Sequence, residues 1–262
     1  MVDMASESAT IRRPRRGLFV LEGRAFFELA ALLPAYPVLR RAPRGDGHAV
    51  LVLPGFLADD FSTRALRGFL RSRGYSAHGW RLGRNLGPNP ELIGHLVERF
   101  RELRNRSERK LTLIGWSLGG VYARELARNF PSDVRQVITL ASPFRDLSAT
   151  SVPPLLRRFG SRHRPANDSQ RAQLGEPIPV PATAIYSKTD GIAAWQSCME
   201  PPGPLSENIE VESSHLGIGH HPVVLLTIAD RLAQPEGEWQ PFQVPAGWRW
   251  PWVPRLAAAT PS

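Results

Sequence analysis

From residue 48 onward the chain alternates short runs that are apolar at every position with longer stretches whose apolar residues recur at helical spacing. His48 to Leu53 (HAVLVL) is apolar on both faces, as a buried parallel strand must be, and it stops at Pro54-Gly55. Asp60 to Arg73 reads as a helix burying Phe61, Leu66, Phe69 and Leu70, and Ser76 to Trp80 as a short strand. Leu82 to Pro90 (LGRNLGPNP) is a turn-rich connection into a helix from Glu91 to about Arg106. A strand over Leu111–Ile114, a helix over Ser117–Asn129 and a strand over Val134–Leu140 follow. Residues 143–180, rich in proline and arginine, interrupt the rhythm; strands at Ala182–Tyr186 and Ile209–Glu212 and a helix at Val223–Leu232 resume it. This alternation predicts one α/β domain with a mostly parallel central sheet and helices on both faces.

The two ends read differently. Residues 18–33 predict a helix on the domain surface, with Arg24 and Glu28 at i,i+4 spacing on one side. Glu22, Arg24 and Glu28 interrupt its apolar residues, and the longest charge-free run, Leu29 to Leu39, is 11 residues with Pro34 and Pro37 inside it. A membrane span needs roughly 20 apolar residues, and a secretory leader tolerates such charges equally badly. The expectation is a cytoplasmic protein whose N-terminal helix packs on the core; a membrane-surface helix is the alternative, because Arg12, Arg13, Arg15 and Arg16 precede it. The expected layout is an arm and surface helix over residues 1–47, a core over 48–233 with 143–180 as a cap or lid, and a Trp/Pro-rich tail over 234–262. Trp239, Trp248, Trp250 and Trp252 of that tail are expected to pack on the core.

Composition narrows the chemistry. The net charge of +9 over 262 residues permits nucleic acid, an anionic surface or acidic substrates as partners. It is unevenly placed: residues 1–47 hold 8 arginines against 5 acids and residues 145–171 hold 6 against 2, leaving the remainder nearly neutral. No helix-turn-helix or RNP-like motif accompanies the charge, so nucleic acid is not an expected partner. Cys198 is the single cysteine, which excludes an intramolecular disulfide and any multi-cysteine metal site, and it reads as a bland thiol. His48, His78, His95 and His163 form no ligand spacing, so neither a metal nor a cofactor is expected.

Gly115-Trp116-Ser117-Leu118-Gly119-Gly120 stands between the strand ending at Ile114 and the helix leaving it. That context places Ser117 on a tight strand-to-helix turn, its hydroxyl exposed in a cleft beside a helix N-terminus. Here the sequence, over roughly residues 48 to 233, resembles the lipase and esterase branch of the α/β-hydrolase superfamily. The resemblance implies a Ser, Asp or Glu, His order for the nucleophile, its orienting acid and its base. Asp190, in Ser187-Lys188-Thr189-Asp190-Gly191 after one strand, matches the acid; His215, in Ser213-Ser214-His215 after the next, matches the base. Asp146 is an alternative acid and His220 or His221 an alternative base, although Pro222 assigns the latter two to the start of the last helix. The family pattern also makes Leu118 one backbone oxyanion donor and Phe56 the other, with Leu57 as fallback. Pro54-Gly55 stands where many lipases have His-Gly.

Trp116 and Trp195 are candidates for lining the substrate pocket or for filling the core, and Asn85, with Arg84 beside it, for orienting substrate there or for an ordinary turn role. The function implied is cleavage of carboxylic esters, of a small molecule, lipid or polymer, through an acyl-enzyme. Amidase, acyltransferase, lyase or non-metal haloperoxidase chemistry on the same fold stays open, as does a non-enzymatic basic module for anionic surfaces or nucleic acid. Peripheral contact with a membrane or other interface is open too, and nothing in the sequence speaks to the oligomeric state.

Overall fold

The computed structural model describes residues 11–151, 173–244 and 255–256. Its sheet contains β1 (Ala49–Leu53), β2 (Ser76–Gly79), β3 (Leu111–Trp116), β4 (Val134–Leu140), β5 (Ala182–Tyr186), β6 (Ser206–Glu210) and β7 (Arg255–Leu256). The spatial order is β2-β1-β3-β4-β5-β6-β7, parallel from β2 through β6, with β7 antiparallel at the edge. Every residue of β1, β3, β4 and β5 is buried. Both faces therefore need apolar side chains, which is why these strands were legible as unbroken apolar runs.

Alternate residues feed two cores. Val50 and Val52 of β1 join Ile114, Ile138 and Ile185 under α3 (Leu32–Leu39), α4 (Arg64–Ser72) and α7 (Pro222–Ala233). Leu51 and Leu53 point the other way, with Leu113 and Val137, under α5 (Pro90–Asn105) and α6 (Leu118–Asn129). Burying one such leucine or valine contributes about 1.5–3 kcal/mol relative to leaving it exposed.

Several expected boundaries move. The helix expected from Asp60 begins at Arg64, because Asp60 is used elsewhere: its carboxylate accepts from the Trp80 and Arg81 N–H groups at 3.1 and 3.0 Å. Phe61, read as core, is 66% exposed beneath the Arg64 guanidinium. The strand expected at Ile209–Glu212 starts at Ser206, since Glu207 turns inward to accept from Thr183 Oγ1 at 2.7 Å and Arg231 Nη1 at 3.1 Å. An inward carboxylate breaks the apolar signature of a strand.

The excursion at 143–180 lies partly outside the described residues, which resume at 173. Its returning end is tied down by α6: Arg124 Nη2 donates to the Glu176 carbonyl at 2.6 Å, and Arg128 Nη2 to the Gln173 carbonyl at 2.9 Å. In the tail, Phe242 is buried beside Arg231, and its N–H donates to Glu207 at 2.6 Å. Trp239 is half-buried, while Trp248, Trp250 and Trp252 lie outside the described residues.

Residues 16–39 form α1 (Arg16–Val20), a 3₁₀ turn (Leu21–Arg24), α2 (Ala25–Ala30) and α3, rather than one helix. Their buried positions are Glu22, Glu28, Ala35 and Leu39, so both carboxylates face the protein.

Candidate active site

Ser117 caps α6 with φ 52° and ψ −122°, a backbone conformation a serine occupies only where its surroundings force it. The close packing around the turn supplies the force. A Cβ on Gly115 would lie 2.3 Å from Gly120, and one on Gly119 would lie 2.3 Å from the Leu53 carbonyl. Only glycine lets β3, α6 and the end of β1 approach this closely.

The loops after β5 and β6 bring their candidates to this turn. His215 Nε2 lies 2.9 Å from Ser117 Oγ, and His215 Nδ1 lies 2.7 Å from Asp190 Oδ2. The other Asp190 oxygen accepts from the Ile192 and Ala193 N–H groups, both at 2.7 Å, which fixes the carboxylate's plane. His215 and Asp190 are buried. Burial opposes the imidazolium, but the charge of Asp190, its hydrogen bond and the charge of Glu22 outweigh that, and the net effect raises the His215 pKa.

The loop after β1 lies against the serine, since a Cβ on Gly55 would be 3.2 Å from Ser117 Cβ. Leu57 is unsuited as an oxyanion donor, because its N–H is already bonded to the Asn85 carbonyl at 2.7 Å. Among the described residues the Phe56 N–H has no backbone acceptor, and the Leu118 N–H, first in α6, has no preceding turn to bond to.

The three candidate lining residues make contacts within the protein. Asn85 is fully buried: its Nδ2 donates to the Pro54 carbonyl at 3.0 Å, while its Oδ1 accepts from the Gly87 N–H at 3.1 Å and Tyr122 OH at 3.2 Å. It braces the loop carrying Phe56 instead of lining a pocket. Trp116 is buried, and its indole N–H donates to the His215 carbonyl at 2.9 Å, so it supports the histidine loop from within the core. Trp195 stacks on Tyr186 at 5.7 Å with the Lys188 ammonium over its ring, a packing role. Arg84 is exposed in its turn.

The rival residues stay apart. Asp146 accepts from the Ser148 N–H and Oγ within its own turn. His220 Nε2 lies 3.1 Å from the Ala25 carbonyl, and His221 is the N-cap of α7. Cys198 is buried, which pushes its thiol pKa up and keeps it unreactive. Among the described residues no group of three or more His, Cys, Asp or Glu side chains is arranged to hold a metal. A cleft of about 410 Å³ lined by Asp46, His48, His78 and Arg99 lies at the opening ends of β1 and β2, at the opposite edge of the sheet from Ser117.

Sequence reasoning missed Glu22 and Glu28. Glu22 Oε1 accepts from the Gly191 N–H at 2.8 Å and the His215 N–H at 3.1 Å, and its Oε2 from the Leu216 N–H at 2.9 Å. Glu28 accepts from the Ser214 N–H at 2.8 Å and Ser214 Oγ at 2.7 Å, and pairs with Arg24 at 3.3 Å. Arg24 in turn donates to the Thr189 carbonyl at 3.0 Å. One N-terminal segment thus grips both the Asp190 loop and the His215 loop. The only signal available in the sequence was the interruption of apolar residues by these three charges.

No protein-family model matches the sequence. Solved structures do match in shape. Lipase B of Aspergillus fumigatus superposes with a TM-score of 0.56 at 17% identity, over 73% of this chain and 54% of that one. This chain therefore spans about half of that lipase. The mature lipase BlEst2 of Bacillus licheniformis superposes with a TM-score of 0.54 at 14% identity, over 72% of this chain and 94% of that one. This chain has the α/β-hydrolase fold. In an α/β-hydrolase the loops at the carboxyl ends of the strands carry the chemistry, and Ser117, Asp190 and His215 all follow strands at that edge.

Proposed function

We propose that this α/β-hydrolase is a serine hydrolase that cleaves carboxylic esters through an acyl-enzyme. The observation that carries the reading is the unbroken relay from Asp190 through His215 to Ser117, at 2.7 and 2.9 Å. A serine hydroxyl is a weak nucleophile until a base within hydrogen-bond reach removes its proton as it attacks. In this reading Ser117 Oγ bonds to the ester carbonyl carbon while His215 Nε2 takes the hydroxyl proton. Asp190, bonded to Nδ1, holds the ring in the productive tautomer and stabilises the imidazolium.

The Phe56 and Leu118 N–H groups receive the oxyanion; one such donor is worth about 3 kcal/mol in the transition state. The tetrahedral intermediate collapses, the C–O bond to the alcohol breaks, and His215 returns the proton to the leaving alkoxide. Water, deprotonated by the same histidine, then releases the acid and restores Ser117.

A serine-directed phosphonate tests this. It is expected to add one covalent label, found by peptide mass spectrometry on the peptide holding Ser117, and to stop hydrolysis of a chain-length panel of chromogenic esters. A protein that takes no label and cleaves none of the esters overturns the reading.

The raised His215 pKa sets the pH dependence. The base works only when neutral, so kcat/KM is expected to fall as pH drops through a value above about 6.5, the ordinary histidine value. Asp190→Asn removes the leading attraction for the proton and is expected to move that limb down. The contribution to stability runs the opposite way: a raised histidine pKa stabilises the fold fully below the unfolded value and is lost as pH rises through the folded one. A limb that stays put in Asp190→Asn would show that His215 is not the titrating base.

A further inference from the structure

Residues 16–39 invert the usual layout of a surface helical segment. Their charges Glu22 and Glu28 face inward, while Val20, Phe26, Phe27, Leu33, Tyr36 and Val38 face out. The most exposed are Leu33 at 81%, Val20 at 79%, and Phe26 and Phe27 at 73% each. The inversion follows from the N–H groups of the catalytic loops, which take both carboxylates and leave the apolar side chains nowhere to go but outward.

Charge identifies what such a face meets. Residues 11–45 contain only two acids, and both are turned in. Arg12, Arg13, Arg15 and Arg16 stand exposed before the face, and Arg40, Arg41 and Arg44 stand exposed after it. An apolar band bracketed by seven exposed arginines matches the boundary between the acyl chains and the headgroups of an anionic bilayer. A second copy of the chain would bring two such arginine sets together, and like charges oppose that pairing. Phe26, Phe27 and Tyr36 could stack on bases, but Val20, Leu33 and Val38 could not, whereas an acyl layer accepts all six.

We propose that the outward face of residues 16–39 docks on an anionic lipid bilayer, Phe26, Phe27 and Leu33 entering the acyl boundary and the flanking arginines meeting the headgroups. The docked segment is the one that grips the loops of Asp190 and His215, and the exposed Leu216 hangs beside it, its N–H on Glu22. Resting on the hydrolase reading, this makes the favoured substrate an ester dissolved in the bilayer.

The test is co-sedimentation of the full chain with vesicles of phosphatidylcholine alone and of equal parts phosphatidylcholine and phosphatidylglycerol. Binding is expected to be about tenfold or more tighter to the anionic vesicles and to weaken with salt. Phe26→Ser/Phe27→Ser/Leu33→Ser is expected to weaken it about tenfold or more while preserving the circular dichroism spectrum. In the same pair of proteins, hydrolysis of a long-chain ester presented in vesicles should fall, while that of a soluble short-chain ester should not.

Equal sedimentation of wild type and triple variant, or none by either, overturns the docking proposal. So does light scattering that shows a dimer which the triple variant breaks, because a second copy then covers the face. Vesicle binding without hydrolysis of any ester leaves docking standing and overturns only the hydrolase reading.

Discussion

Ser117→Ala is expected to lower kcat on chromogenic esters by a factor on the order of 10⁴ to 10⁶ with little change in KM, since in the proposed mechanism the hydroxyl is the atom that bonds to the substrate. The residual rate would come from the proposed oxyanion donors, the Phe56 and Leu118 N–H groups, acting on a water-driven reaction. Steady-state kinetics on purified protein, with circular dichroism as a control for folding, reads the result. The left-handed φ of 52° at this position adds a second expectation. Ser117→Gly should be equally inactive but more stable by about 1 kcal/mol, because glycine occupies that conformation without the steric cost a serine bears. Activity in Ser117→Ala within tenfold of wild type would mean that the relay through His215 does not feed this hydroxyl.

The largest effect on stability is expected at Arg124. This side chain is buried on α6, ion-paired with the equally buried Glu200 and set 3.8 Å over the Phe144 ring. Burial raises the Glu200 pKa, and the neighbouring guanidinium works against that rise. Arg124→Met leaves the carboxylate alone in an apolar site, which costs about 3–5 kcal/mol. It also frees the Glu176 and Leu174 carbonyls that Arg124 ties to α6.

In that variant Glu200 can escape the cost by taking a proton. The loss is therefore expected to be greatest at neutral pH and to shrink as pH falls through the raised value. Arg124→Met/Glu200→Met, which removes both charges, should recover most of the stability. Urea unfolding of the three proteins at neutral and acidic pH separates these outcomes, and a double variant no more stable than the single one would show that the pair itself is not the source.

How much of the molecule was legible depended on whether the relevant physics was local. β1, β3, β4 and β5 are buried on both faces, and that requirement writes itself as unbroken apolar runs. The turn at Ser117 was legible too, because its glycines are demanded by backbone contacts within a few residues or with the adjoining strand. Phe61 misled because Asp60 is drawn away to cap the turn at Trp80 and Arg81, 20 residues on, and the helix begins only after it.

By itself, then, the sequence determined the parallel sheet and the strand-to-helix turn, and chain order under a family resemblance named Ser117, Asp190 and His215. Only the tertiary structure decided that Asn85 braces a loop instead of lining a pocket, and that Glu22 and Glu28 point inward. A carboxylate written in the sequence carries no mark of whether water or a set of backbone N–H groups will satisfy it. Here the donors come from Gly191, Ser214, His215 and Leu216, more than 160 residues along the chain from their acceptors. That distant pairing turns the N-terminal segment inside out, holding the loops of Asp190 and His215 with its charged side and leaving its apolar side outward.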